Sequence, residues 1–237
     1  MEHLDTLWNG VTLLQPDRQF QLGTDSICCA YFSSFPPHSR VADLGCGSGA
    51  LALMLLADDP TLQITGIELQ TQAAEAAKCN AQRNHLDTQF RVLQGDLRQI
   101  RMLLPAGCMD GVISNPPYFP AGSGKACANP SLSAARSEET CTLAQLTEAA
   151  SWLLKWSGRF CLVHRPERLV DVVWTLREQS LEPKRIQFVR HHAGAPVSLF
   201  LMEARKGGKP GLQYEQDLIL FDENGKETAD CRAVYHR

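Results

Sequence analysis

Four consecutive residues in the middle of the chain, Asn115-Pro116-Pro117-Tyr118, combine a side-chain amide, two rigid prolines and an aromatic ring. They follow a short apolar run that is typical of a buried strand. The Asn115 side-chain oxygen and the Pro116 carbonyl can together accept both hydrogens of a planar amino group. Tyr118 can stack on the ring that carries this group. Although a lone Asn-Pro often only closes a strand, the full pattern on a strand end predicts a site for an aromatic amine.

A glycine-rich loop precedes this turn in the chain. Gly45, Gly47 and Gly49 follow an apolar strand expected over residues 40–44 and precede a helix expected over residues 50–57. Glycines permit tight turns and a close approach of the backbone to a ligand. The spacing Gly-x-Gly-x-Gly differs from the dinucleotide pattern Gly-x-Gly-x-x-Gly. The loop alone is therefore a weak indication of a nucleotide ligand.

Two acidic residues end the next two predicted strands. Glu68 ends the strand expected over residues 62–69, the place where βαβ units hold ribose hydroxyls. Asp96 follows the strand expected over residues 90–94 and can accept a hydrogen bond from an adenine amino group. The alternatives are a helix-start charge at Glu68 and a helix cap at Asp96. Together with the glycine loop, the two acids favour a ligand that contains adenosine.

Strands and helices alternate along residues 40–205, which predicts an α/β fold. We expect a mostly parallel seven-stranded sheet with helices on both faces and an antiparallel edge formed by the last two strands. The carboxyl ends of parallel strands meet at one edge, so the four site segments should converge there. The later elements are expected as a helix over 143–156 and strands over 158–164, 186–189 and 197–204.

The length of 237 residues, with 44% apolar and 21% charged residues, predicts one globular domain. We divide it into an N-terminal hairpin and helix (1–39), a catalytic core (40–205) and a C-terminal tail (206–237). Within the first part, Asn9-Gly10 predicts a turn, and Thr24 or Asp25 predicts a helix cap.

The net charge of −3 excludes a strongly basic protein but hides an asymmetry. Residues 1–115 contain 7 basic and 12 acidic side chains, whereas residues 155–209 contain 11 basic and 5 acidic ones. A basic part beside an acidic one suggests that a polyanion docks on one side, although ordinary solvated surface fits equally well.

The nine cysteines include no Cys-x-x-Cys pair and several lie in apolar runs. This usage favours buried thiols in a reducing compartment over disulfides or a metal site. The sequence opens without a basic-then-apolar leader and contains no apolar run of membrane-spanning length. We therefore expect a soluble cytoplasmic protein that uses neither membrane nor metal.

Residues 120–140 are rich in Gly, Ala, Ser and Pro and lack any periodicity. Segments of this length inside a compact domain are usually functional lids or disordered. Because this one follows the Asn-Pro-Pro-Tyr turn directly, we expect a lid over the substrate.

The site motifs together resemble those of class I S-adenosylmethionine methyltransferases that act on amino nitrogens. The matching segments are Asp43-Leu44-Gly45-Cys46-Gly47-Ser48-Gly49, Glu68, Asp96 and Asn115-Pro116-Pro117-Tyr118. Looser matches extend the resemblance to the bacterial valine-tRNA adenine-N6 methyltransferase family over nearly the whole chain. They are Gly23-Thr24-Asp25, Ala135-Arg136, Arg165-Pro166-Glu167-Arg168-Leu169 and Gly207-Gly208.

This resemblance implies a Rossmann-like methyltransferase fold, S-adenosylmethionine as cofactor, and an adenine of tRNA at position 37, next to the anticodon, as substrate. The cofactor-binding residues that it implies are Thr24, Asp43, Gly45, Cys46, Gly47, Gly49, Glu68, Leu69, Asp96, Leu97 and Asn115. The implied catalytic residues are Asn115, Pro116, Pro117 and Tyr118. The implied substrate contacts are Tyr118, Phe119, Lys125 and Arg136.

Three other functions remain open from the sequence. A protein-glutamine N5-methyltransferase of release factors shares the Asn-Pro-Pro-Tyr motif, because a glutamine amide is also planar, but such enzymes carry a helical domain ahead of the glycine loop. A ribosomal RNA guanine-N2 methyltransferase usually has Phe after the prolines. A non-catalytic subunit that binds S-adenosylmethionine and RNA would be expected to have lost one of the motifs.

Overall fold

The computed structural model describes residues 3–15, 22–116, 118 and 141–236. Its strands are β1 His3–Thr6, β2 Thr12–Gln15, β3 Arg40–Leu44, β4 Gln63–Glu68, β5 Phe90–Gln94, β6 Met109–Ser114, β7 Leu154–His164, β8 Leu181–Arg190, β9 Val197–Lys206, β10 Gln213–Tyr214 and β11 Leu218–Ile219. Its α-helices are α1 Thr24–Phe32, α2 Ala50–Asp58, α3 Thr71–Arg83, α4 Ile100–Leu103, α5 Leu143–Leu153, α6 Leu169–Glu178 and α7 Ala229–Val234.

The main sheet has the strand order β10-β8-β9-β7-β6-β3-β4-β5, and β11 also pairs with β8. Strands β3 to β7 run parallel to one another, whereas β9 runs antiparallel to both β7 and β8. The predicted mostly parallel sheet with an antiparallel edge is therefore confirmed, and two short strands extend that edge. Strands β3, β4 and β5 follow one another toward one edge of the sheet, and β6 then pairs with the other side of β3. This reversal leaves a crevice at the carboxyl ends of β3 and β6.

Helices cover both faces of the sheet, as the alternating pattern predicted. On one face, buried side chains of α1, α2, α3 and α7 form a single apolar core, and on the other face α4, α5 and α6 form a second core. Helix α2 is buried along its whole middle, residues 51–57. Such a helix needs apolar cover on its outer side as well, and the N-terminal hairpin contributes that cover.

The hairpin of β1 and β2 is held to the core by side-chain amides of α3. Asn80 accepts a hydrogen bond from Leu14 N at 2.8 Å and donates one to Leu14 O at 2.8 Å. Its amide nitrogen also donates to Ser48 O, in the glycine loop, at 3.0 Å. The predicted turn at Asn9-Gly10 is present, with φ of +55° and +77°. The polar atoms of the buried Asn80 side chain are all hydrogen-bonded. This one side chain therefore anchors both the hairpin and the glycine loop.

The helix predicted to run to Trp156 ends at Leu153 instead, and β7 begins at Leu154. Leu154 is buried opposite Met109 of β6. The next residue, Lys155, forms an ion pair with Asp110 at 2.6 Å. The apolar spacing of a helix continues in the sequence beyond Leu153, but these contacts between strands decide the local structure and end the helix there.

Strand β8 begins at Leu181, five residues before its predicted start at 186. Pro183 lies inside it, although proline lacks the N–H that a strand interior uses. A register shift between Pro183 and Arg185 accommodates the proline against β9. The bulge explains why the sequence pattern underestimated this strand.

The segment after residue 206 packs on the core rather than extending away from it. Helix α7, which the sequence pattern did not predict, buries Cys231 and Val234. The Tyr235 hydroxyl lies 3.0 Å from Thr24 Oγ1, at the start of α1. The end of the chain therefore supports the helix that faces the crevice.

Gly49 provides a test of the loop geometry, because it has a φ of +89° and a Cβ there would lie 2.6 Å from Phe90 Cε1. We expect Gly49→Ala to lower the free energy of unfolding by about 2–5 kcal/mol, the sum of backbone strain and overpacking. The measurement is equilibrium urea unfolding.

Gly225→Ala is the matched control, because Gly225 has a φ of +75° and, apart from its chain neighbours, the described part of the chain places no atom within 4 Å of an added Cβ. Its expected cost is about 1–2 kcal/mol, from backbone strain alone. Equal costs for the two variants would show that Phe90 does not constrain the loop.

Candidate active site at the carboxyl edge of the sheet

The carboxyl ends of β3 and β6 are tied together at the crevice. Ser114 Oγ, which is fully buried, donates a hydrogen bond to Leu44 O at 2.8 Å. The glycine loop leaves β3 at this point, and the turn containing Asn115 and Pro116 leaves β6. The two motifs with the strongest chemical signal therefore lie side by side, as the fold prediction requires.

The glycine loop is open toward the crevice. Gly45 and Gly47 have φ of +73° and +55°, and, their chain neighbours aside, no atom of the described residues lies within 4 Å of a Cβ added at either position. Gly45 N and Cys46 N donate to Ile67 O at 2.9 and 3.2 Å, which pins the loop to β4. Only glycine adopts this backbone without strain, and the open side leaves space for a ligand.

Glu68 at the end of β4 holds the loop in place. Its Oε2 accepts a hydrogen bond from Gly47 N at 2.9 Å, and its Oε1 accepts one from Gln70 N at 2.8 Å. The side chain is 8% exposed. Each carboxylate oxygen has further acceptor capacity, so binding of ribose hydroxyls is compatible with these bonds and stays a prediction. Leu69, the next residue, is exposed beside it.

Asp43, near the end of β3, is a buried carboxylate whose oxygens make no well-formed hydrogen bond among the described residues, and a weak contact with the backbone N–H of Ala52 lowers its pKa only in part. Burial, and then the nearby charge of Glu68, raise the pKa of Asp43 to about 8. Buried acids in native proteins are normally hydrogen-bonded. An unpaired one next to an open glycine loop suits a ligand that brings a cationic or N–H donor group.

The remaining predicted cofactor residues have identifiable protein contacts. Cys46 is buried beneath the loop, so close to β4 that a Cβ on Gly66 would lie 2.7 Å from its sulfur. Asp96 caps the turn that follows β5, where its Oδ1 accepts from Arg98 N at 2.9 Å, and an Arg98 ion pair adds a contact at 2.6 Å. The capping alternative is thus present, and contacts of Asp96 and Leu97 with adenine stay predictions.

Asn115 and Tyr118 are held by the first turn of α1. Asn115 Nδ2 donates to Ser26 Oγ at 2.9 Å, which turns the amide oxygen toward Tyr118. The Tyr118 hydroxyl lies 2.6 Å from Asp25 Oδ2 and 2.7 Å from Asn115 Oδ1. A phenol has one hydrogen and can donate to only one of these oxygens at a time. Since the carboxylate is the stronger acceptor, the Asn115 oxygen keeps acceptor capacity for a substrate.

The helix-cap prediction at the start of α1 is wrong. Gly23 occupies the N-cap position, and no side chain caps the helix there. Asp25 is used instead to hold Tyr118, and Thr24 bonds Tyr235. Neither Ser26 nor this use of Asp25 was predicted from the sequence, because both contacts join parts of the chain that are far apart in sequence.

The Tyr118 ring lies between two residues at the end of β7. His164 meets it edge-to-face at 5.3 Å between ring centroids, and the Arg165 guanidinium lies over its face at 5.4 Å. Burial, and then the charge of Asp25, raise the pKa of Tyr118 well above its ordinary value. The phenol therefore stays protonated. The signal for His164 and Arg165 was available, since polar residues at a strand's carboxyl end had already indicated Glu68 and Asp96.

Several predicted residues lie outside the described part of the chain. They are Pro117, Phe119, Lys125 and Arg136, together with the segment 120–140 expected to form a lid. Their roles stay predictions.

Much of the basic surplus in residues 155–209 is used in ion pairs within the protein. Arg185 bonds the buried Glu203 at 2.9 Å and Glu215 at 2.6 Å, and Arg190 bonds Asp217 at 2.6 Å. These side chains stabilise the antiparallel edge of the sheet. The charge asymmetry is thus weaker support for a polyanion than the bare sequence suggested.

Over the described ranges, no helix combines the length and apolar character needed to cross a bilayer. The described residues also contain no group of three or more His, Cys, Asp or Glu side chains that could bind a metal ion.

The pKa of Asp43 leads to a pH-dependent prediction. An unfolded aspartate titrates near pH 4, so between about pH 4 and pH 8 the folded protein binds more protons than the unfolded chain. Stability falls as pH rises through that window. The neutral variant Asp43→Asn should therefore gain stability relative to wild type as pH rises from 4 to 8, measured by urea unfolding at each pH.

Asp96→Asn is the contrasting control, because the Arg98 hydrogen bond lowers the pKa of Asp96. That variant should lose a small amount of stability above pH 4, and the loss should shrink as pH falls through the depressed pKa. A stability difference for Asp43→Asn that does not change with pH would contradict the assignment of a buried, unpaired carboxyl group.

Comparison with known proteins matches residues 26–178 to the methyltransferase small domain family. A curated relative from Photorhabdus laumondii, named tRNA1(Val) (adenine(37)-N6)-methyltransferase, is 33% identical over 217 residues, covering 90% of this chain and 86% of the relative. A relative of the same name from Yersinia pestis is 29% identical over 196 residues, covering 82% and 78%.

Solved structures support the same fold. A predicted O-methyltransferase from Agrobacterium tumefaciens superposes with a TM-score of 0.73 at 20% identity, covering 90% of this chain and 96% of that one. Geranyl diphosphate C-methyltransferase from Streptomyces coelicolor, solved with S-adenosyl-L-homocysteine, has a TM-score of 0.52 at 13% identity, covering 71% and 72%. The chain therefore belongs to the methyltransferase small domain family and groups there with the bacterial tRNA1(Val) (adenine(37)-N6)-methyltransferases.

Proposed function

We propose that this protein transfers a methyl group from S-adenosylmethionine to the N6 amino group of an adenine in tRNA, at position 37 beside the anticodon. The observation that carries the proposal is the fixed direction of the Asn115 amide. The Asn115 amide nitrogen donates a hydrogen bond to Ser26 Oγ at 2.9 Å. The Asn115 amide oxygen therefore faces Tyr118 and can still accept a further hydrogen bond. Beside it, the Pro116 carbonyl offers a second acceptor. Two acceptors that converge on one position suit an amino group there and reject a ring carbonyl at that position.

The other half of the crevice fits S-adenosylmethionine. The open glycine loop admits a close ligand, and the unpaired Asp43 carboxylate suits the cationic amino group of the methionine part. Glu68 and Asp96 are assigned to the ribose and the adenine. A cation beside Asp43 favours its charged form, so cofactor binding near neutral pH would release a proton from this residue.

The protein's own groups act mainly by positioning. S-Adenosylmethionine supplies the methyl group as an electrophile on a positively charged sulfur. An adenine amino nitrogen is a poor nucleophile, because its lone pair is delocalised into the ring. Hydrogen bonds from both amino hydrogens to Asn115 and Pro116 favour a pyramidal nitrogen, which frees the lone pair for attack. Tyr118 stays protonated and stacks on the adenine ring. We therefore assign it no role as a proton acceptor.

The RNA assignment draws on the curated relatives, whose names specify adenine 37 of a tRNA. The target base must leave its stack to reach a crevice of this kind. Bases in an anticodon loop are already partly splayed, so extrusion costs less there than in a duplex. A tRNA substrate also implies that the protein works in the cytoplasm.

Asn115→Ala should reduce the rate of methyl transfer roughly 10²- to 10³-fold, because one aligned polar group is lost at the reacting nitrogen. Binding of S-adenosylmethionine, followed by calorimetry, should change little. Asn224→Ala, at an exposed turn between Asp222 and Gly225, is the control and should leave turnover unchanged. Turnover of Asn115→Ala within a few-fold of wild type would remove Asn115 from the catalytic assignment.

The substrate is tested by incubating the purified protein with labelled S-adenosylmethionine and either unmodified bulk tRNA or the translation release factors. Nucleoside mass spectrometry of the tRNA should show N6-methyladenosine, and mapping should place it at position 37. The rival to exclude is a glutamine side chain, whose planar amide would also suit two acceptors. Label confined to release-factor glutamine would replace the present proposal.

A further inference from the structure

His164, the last residue of β7, contains a buried polar atom that the mechanism above does not use. The residue is fully buried, and its Nδ1 accepts a hydrogen bond from Arg165 N at 2.8 Å. Its Nε2 has no partner among the described residues. A neutral imidazole carries its hydrogen on only one nitrogen. Because Nδ1 is the acceptor, Nε2 carries the hydrogen and is an unused donor.

The ring is neutral under ordinary conditions. Burial, and then the positive charge of Arg168, lower the pKa of His164 to about 4. The donor is therefore an uncharged N–H group at neutral pH, and it differs in kind from the acceptors offered by Asn115 and Pro116.

The ring of His164 lies beside the aromatic residue of the proposed amine site. Ser114, the last residue of β6, lies opposite Leu162 of β7, and His164 ends β7 two residues beyond that pair. Its ring meets the Tyr118 ring at 5.3 Å, while Phe200 stacks at 6.2 Å on the core side. A buried donor without a partner among the described residues is rare in native structures, and this one belongs to a ring that packs against Tyr118, the aromatic residue of the proposed amine site.

We propose that His164 donates its Nε2 hydrogen to ring nitrogen N1 of the target adenine, a role that rests on the function proposed above. The adenine amino group lies between two ring acceptors, N1 on the Watson–Crick edge and N7 on the Hoogsteen edge, and an extruded base is read along its Watson–Crick edge. Two acceptors for the amino hydrogens and one donor for N1 match this edge. A base with N–H at that place would face the His164 donor with a donor of its own.

This assignment also accounts for the separate tasks of the two residues that touch Tyr118. Arg165 lies over the ring face, whereas His164 packs against the same ring at a steep angle, so we assign the charge to Arg165 and the directional hydrogen bond to His164. The backbone N–H of Arg165 in turn fixes the tautomer of His164. Base recognition is thereby set by a backbone group that no side-chain substitution at 165 removes.

The test compares two proteins, the wild type and His164→Phe, on two RNAs that differ only at N1 of the target base. His164→Phe keeps a flat ring between Tyr118 and Phe200 but removes the donor. Each protein is assayed for kcat/KM on an anticodon stem-loop with adenine or 1-deazaadenine at the target position. We expect the wild type to lose about 10- to 100-fold on 1-deazaadenine, and His164→Phe to lose a similar factor on adenine. On 1-deazaadenine the two proteins should be equal.

The controls separate this role from packing. A 7-deazaadenine RNA should be methylated at nearly the adenine rate, and His164→Gln, which restores an N–H donor, should recover part of the loss. An equal loss for His164→Phe on both bases would mean that the histidine only packs, and would overturn the proposal. If His164→Phe does not fold, the wild type alone decides: equal kcat/KM on the adenine and 1-deazaadenine RNAs would overturn the proposal. Failure of the proposed function itself is distinct, because the wild type would then methylate none of the adenine RNAs.

Discussion

The hydrogen bonds between the first turn of α1 and the turn after β6 set the geometry of the substrate half of the site. Ser26 fixes the amide of Asn115, and Asp25 fixes the hydroxyl of Tyr118, across sequence separations of 89 and 93 residues. Both pairs are partly buried, so loss of one partner leaves the other unsatisfied. The direction of one amide oxygen and the plane of one aromatic ring depend on these two bonds, and in the proposed function so would the orientation and stacking of the target base.

The cofactor half rests on a different part of the fold. The glycine loop is held by β4 through Glu68 and the carbonyl of Ile67, not by α1. The two halves are joined where Ser114 bonds Leu44 O across the neighbouring strands β6 and β3. A methyl donor and its acceptor must meet within bonding distance, and the fixed spacing of a parallel sheet supplies that constraint without a flexible element between them.

The sheet and the loop motifs were predictable because their signals are local. Apolar runs mark the strands, and residues such as Gly49 and Glu68 stand at fixed distances from them along the chain. The contact between Ser26 and Asn115 was not predictable in the same way, since it joins the first turn of a helix to a strand end that is 89 residues away in the chain. The start of β7 was misplaced for a related reason: Leu154 fits a helical pattern until its partner in β6 is known. Helix α7 is short, and most of its support comes from tertiary contacts.

The Asn80 side chain bonds the backbone of β2 and, through the same amide, the carbonyl of Ser48 in the glycine loop. Opening of the hairpin removes two of the three hydrogen bonds that hold the Asn80 amide in place, which weakens its remaining bond to the loop, so the order of the hairpin and the order of the loop are coupled. A ligand that binds only the ordered loop lowers the population of that open state by mass action. Amide hydrogens of β2 would then exchange more slowly with solvent when the crevice is occupied, although the hairpin supplies none of the reacting groups. The first strands of the chain are in this sense a thermodynamic sensor of the methyl-donor site.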